Sequence, residues 1–140
     1  MPPIARSFAA VIAGMVIAVT VVSIFDRGAG LLHPVPAGFD VTDMAQVNAH
    51  AGSAPTGALL LVLAGWIVGP FAGGLVASRI AIHSRRLYAW VILALLLSAT
   101  IANLIAIPHP AWMVAAALLG VPWAGWMAAR LAPPDVSVSR

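Results

Sequence analysis

Four apolar runs, each longer than 20 residues, fill most of this 140-residue chain and leave it few ways to fold. They cover residues 3–25, 54–82, 87–107 and 111–131. A hydrocarbon slab of ~30 Å takes roughly 20 helical residues to cross, so every run is long enough. Lipid offers the backbone no water to bond, and an isolated apolar segment satisfies its own peptide groups only as an α-helix. The expected fold is therefore all-α: a four-transmembrane-helix bundle forming one integral membrane domain over 1–140, with short loops and one longer outer loop at 26–53. The second run is over-long and must tilt, bend at Pro70 or project past the membrane.

The charged inventory agrees. Seven arginines and four aspartates, with no lysine or glutamate, cannot coat a soluble domain that is 62% hydrophobic. The bilayer is thus the main solvent of the outer surface. A net charge of +3 raises the question of nucleic acid. The arginines, however, sit at the ends of apolar runs instead of lining one face with aromatics, so nucleic acid is excluded as a partner. The absence of cysteine removes disulfides, thiolate metal sites and thiol nucleophiles.

Arg6, Arg79, Arg85, Arg86, Arg130 and Arg140 share one side of this topology, while Arg27 stands alone on the other beside Asp26, Asp40 and Asp43. The positive-inside rule then predicts a bacterial inner-membrane protein with both termini cytoplasmic. The first run exceeds the 7–15 residues of a signal-peptide core and reads as a retained helix. Tyr88, Trp90, Trp112, Trp123 and Trp126 fall near the expected interfaces. Trp66 lies deep in the second run, facing a neighbouring helix or lipid.

Small residues let membrane helices approach closely. The second run carries the spaced-by-four row Gly65, Gly69, Gly73 and Ala77, with Gly74 beside it. The first has Ala10, Gly14 and Ala18, and the fourth has Ala116, Gly120, Ala124 and Ala128. These rows fit packing within one bundle or a self-association face. Pro70 leaves the Trp66 carbonyl without its usual donor. Among polar residues in the runs, Asn103 is the strongest candidate for function. It is expected to be buried against another helix, because an unpaired amide in hydrocarbon is costly. Thr20, Ser23, Ser98 and Thr100 can bond their own backbone. Asp26 and Arg79 read as run ends, which leaves no ionisable group in mid-span and argues against proton-coupled transport.

In the outer loop Gly28, Gly30, Pro34, Pro36 and Gly38 read as irregular chain. Residues 41–50 predict a short helix, started by Asp40 or Thr42 and stopped by Gly52. Ser53 suits the N-cap of the second membrane helix, with Pro55 in its first turn. His33, Asp40, Asp43 and His50 are the one cluster with metal-ligand chemistry, against the plainer reading as solvated loop residues and caps. No catalytic fingerprint occurs. The closest nucleophile–base pair is Ser53 with His50, and His109 reads as a turn residue between Pro108 and Pro110. No cofactor is indicated, and a non-enzymatic role is the simpler reading.

Three stretches carry a resemblance. They are the loop with Pro34, Pro36, Gly38, Asp40 and Asp43, the run from Pro55 to Gly74, and Ile107 to Trp112. Together they resemble an uncharacterised group of small bacterial four-helix membrane proteins, which implies the fold and no activity. The first functional expectation is a membrane protein acting through helix–helix contacts, as a homo-oligomer or an accessory subunit with a membrane-protein partner. The second is a channel or carrier for a small neutral or lipophilic solute, using the Gly65–Gly73 groove and contacts from Pro70, Trp66 and Asn103. An enzyme built on the His/Asp loop comes third.

Overall fold

The computed structural model describes residues 3–135; Arg140, counted above, lies outside them. Five helices form the described chain, with no strand among the described residues: α1 (Pro3–Leu32), α2 (Met44–Gly52), α3 (Thr56–Ile80), α4 (Arg85–Ala106) and α5 (Ala111–Arg130). Four of them, α1 and α3 to α5, are long and apolar enough to cross a membrane. The chain is a multi-pass, all-helical membrane protein. The bounds of α3, α4 and α5 fall within two residues of the sequence expectation.

α1 corrects that expectation. It continues to Leu32, so Asp26, Arg27, Gly28 and Gly30 are helical and not loop. The extra turns pack on the start of α3: Gly28 faces Leu61, Gly57 faces Leu32, and Ala29 is buried. The helix stops where Pro34 disfavours helical backbone at His33.

α3 lies at the centre, with α1 on one flank and α4 and α5 on the other; α1 touches α4 but not α5. The α1–α3 seam is antiparallel and close to backbone contact. A Cβ added at Gly73 would stand 2.5 Å from the Gly14 carbonyl oxygen, and one at Gly14 would stand 2.8 Å from that of Gly73. Gly69 meets Val22, Gly65 meets Phe25, and Ala10, Ala18 and Ala77 are fully buried. The glycine row is thus filled by this chain's own first helix. Across α5, Gly120 receives Ile67, Gly125 receives Leu93, and Gly74 faces Ala128.

The caps also differ from expectation. Asp43, not Asp40 or Thr42, caps α2, accepting from the Ala45 and Gln46 amides. Ser53 ends α2, and Pro55 holds the N-cap position of α3. At the arginine end Ser84 adopts a left-handed φ of 51° and its side chain caps nothing. Asp135 serves instead, accepting the Arg85 amide at 3.0 Å. Arg6 Nε donates to the Ile80 carbonyl (2.9 Å) and the Tyr88 hydroxyl donates to Ser7 (2.6 Å), tying α1 to α3 and α4.

Candidate ligand cleft

α1 and α4 meet at the arginine end, where Tyr88 reaches Ser7 and Gly14 faces Ile92. Toward the loop end they separate. Between Val22 and Asp26 of α1 and Leu96, Ala99, Thr100 and Asn103 of α4 lies a cavity of about 190 Å³, floored by Trp66 and Pro70 of α3. A second cavity of about 330 Å³ continues toward the loop under His33, His50 and His109. Asp26, Trp66 and Asn103 line both, so the two form one cleft running from the loops toward mid-span.

Two corrections follow. Asn103 is exposed, and its side chain has no hydrogen-bond partner among the described residues. No helix covers it, because α1 has already parted from α4 at its level. Asp26 is not at a run end but inside the apolar helix Ile4–Leu32, with its carboxyl unpaired among the described residues. Asp26 and Arg27 thus lie within a candidate span, six and five residues from its loop end, while the middle of each of the four spans holds no ionisable group. Sequence reasoning missed Asp26 as a site residue, although a signal was present. Val22, Asp26, Ala29, Gly30 and His33 recur at helical spacing, and that face becomes visible once the helix is carried through to Pro34.

The loop end supplies the cleft's roof. His33 and His50 stack with ring centroids 4.0 Å apart, and Phe39 meets His50 edge-on. His33 Nε2 lies 3.0 Å from the His50 carbonyl, which can only accept, so Nε2 carries the hydrogen. The Ser53 hydroxyl donates to the same carbonyl. It lies 3.5 Å from His33 Nε2, a nitrogen already protonated and no base for it. His109 donates Nδ1–H to the Ile107 carbonyl at 2.7 Å, leaving Nε2 as an acceptor, and its ring packs 5.6 Å from that of Trp66. Trp66 is half-buried, packed into the cluster of Leu63, Met113 and Ala117.

Of the four candidate metal ligands, the fold unites His33 and His50 but sends the carboxylates elsewhere. Asp40 accepts from the Thr42 hydroxyl and amide, and Asp43 from the Gln46 side chain and the α2 amides. These bonds hold both carboxyls below the ordinary aspartate range, the Thr42 hydroxyl dominating at Asp40 and the Gln46 side chain at Asp43. Among the described residues no three His, Cys, Asp or Glu side chains come together to hold a metal. Pro70 is buried in the floor, and the Gly65–Gly73 groove is closed by α1.

No family model, curated protein or solved structure matches the chain.

Proposed function

We propose that this protein binds a small, partly apolar molecule in the α1–α4 cleft, as a membrane carrier or a solute-binding component does. The observation that carries the reading is the unpaired Asp26 and Asn103 side chains lining one cavity that continues from the loops to Pro70 and Thr100. Polar groups without an internal partner at membrane depth are tolerated where a cavity supplies one. The arginine distribution and the resemblance to small bacterial four-helix proteins support a bacterial inner-membrane location with cytoplasmic termini. The cleft then opens to the periplasm. Assembly as an oligomer or accessory subunit is a second reading. Its glycine face is taken up by α1, and it now rests on the outward stripe Ile4, Phe8, Ile12, Val16 and Val19.

The chain has no cysteine, so single-cysteine labelling is clean. A membrane-impermeant thiol reagent added to intact cells should label Asn103→Cys and spare Ser139→Cys, a position outside the described residues. An inert Asn103→Cys removes the cleft reading, and a labelled Ser139→Cys inverts the topology.

A further inference from the structure

We infer that the cleft recognises a small organic cation, an amine or quaternary ammonium on an apolar body; this rests on the ligand-binding reading above. The charge facing the cleft is one-sided. Among the described residues Asp26 of α1 is the sole carboxylate on its lining, and Arg27 is not a lining residue. The other titratable groups facing it are His33 of α1, His50 of α2 and His109 of the α4–α5 turn, while α3 and α5 contribute none. An anion would meet Asp26 with no arginine to offset it. A cation would give the carboxylate the partner it lacks.

The neutral lining points the same way. Trp66 lines both cavities, and an indole face attracts a cation within about 6 Å of its centroid. Pro70, in the same wall, has no N–H to offer the Trp66 carbonyl. His109 Nε2 is a further acceptor, since Nδ1–H is spent on Ile107. The His33 Nε2 donor is likewise spent, on the His50 carbonyl. The Asp26 carboxylate and His109 Nε2 are thus acceptors without an internal partner, which suits a ligand that brings N–H groups or bare positive charge. Ala58, Leu59, Val62 and Met113 supply an apolar bed for the rest of the molecule.

The test uses the full chain in digalactosyldiacylglycerol nanodiscs at neutral pH, whose lipid carries no ammonium group, with empty nanodiscs as blank. 2-Phenylethylamine and 2-phenylethanol, matched in shape and differing in charge, are titrated calorimetrically. The amine should bind about tenfold more tightly than the alcohol, equivalent to ~1.4 kcal/mol. Asp26→Asn should erase that difference while leaving the alcohol unchanged, and Trp66→Leu should weaken the amine selectively. Equal affinities, or an amine preference that survives Asp26→Asn, overturn the cationic ligand and leave the cleft reading standing. Binding of neither probe, with Asn103→Cys still labelled from water, also overturns the cationic ligand alone. Failure of that labelling overturns both.

Discussion

α1 has two neighbours and treats them differently. Against α3 it lies so close that carbonyl oxygens occupy the space a side chain would need at Gly14 and Gly73. Against α4 it touches near the arginine end and then stands off far enough to leave about 190 Å³ beside Asn103. In lipid apolar surface alone gives helices little reason to associate, so approach is set by how small the facing residues are. Gly14, Ala18 and Val22 face glycines on α3, whereas on the α4 side Val22 and Asp26 stand across the cleft from Leu96, Ala99 and Thr100. The seam holds the protein together. The cleft is what remains where no such match exists.

Enlarging a residue on each side of α1 separates the two. Gly69→Leu should cost about 3 kcal/mol or more, the upper range for overpacking, because Val22 and the Ala18 carbonyl already fill the site. Thermal stability in detergent is the readout, with size exclusion following oligomeric state. Leu61→Ala, at a half-buried position on the same helix, should stay below the ~2 kcal/mol at which losses from buried Leu→Ala begin. Similar melting of the two variants would mean that the seam does not anchor α1.

Ala99→Leu places equal bulk in the cleft, where Ala99 is exposed, and should shift melting by less than about 1 kcal/mol. It should also slow labelling of Asn103→Cys. A cost matching that of Gly69→Leu would show the cleft to be packed like the seam. The smallest effect belongs to α2, which has no buried residue and covers the cleft through His50. Asp43 is depressed below its ordinary pKa chiefly by the Gln46 side chain, so its cap is complete above about pH 4 and is lost as pH falls through the lower folded value. Protection of the Ala45 and Gln46 amides from hydrogen exchange, measured against their intrinsic rate at each pH, should fall only in that acid window. Asp43→Asn, which keeps an accepting oxygen, should remove the pH dependence.

Most of the fold was legible because membrane spans are written in long apolar runs. The end of α1 was not. Asp26, Arg27, Gly28 and Gly30 are each local loop signals, and the helix through them is held by Leu61 and Gly57 of α3, which a local reading does not see. That single error hid the site, since Asp26 joins Trp66 and Asn103 only if the helix continues. Trp66, Asn103, His33 and His50 were singled out for chemistry and do line the cleft. Asp40 and Asp43 were grouped with the histidines by nearness in sequence, but short-range turn and cap bonds claimed them. Pairing between α1 and α4, distant in the chain, had no signal of its own.

The helices also differ in length, and a bilayer would register it. At 1.5 Å per residue the 30 residues of α1 extend about 45 Å, whereas the 22 of α4 and the 20 of α5 extend about 33 Å and 30 Å. One flank of the body asks for a thick membrane or a steep tilt; the other suits an ordinary one. A slab matched to α4 leaves about 12 Å of α1 to be taken up by tilt or by projection beyond the hydrocarbon at the helix's ends.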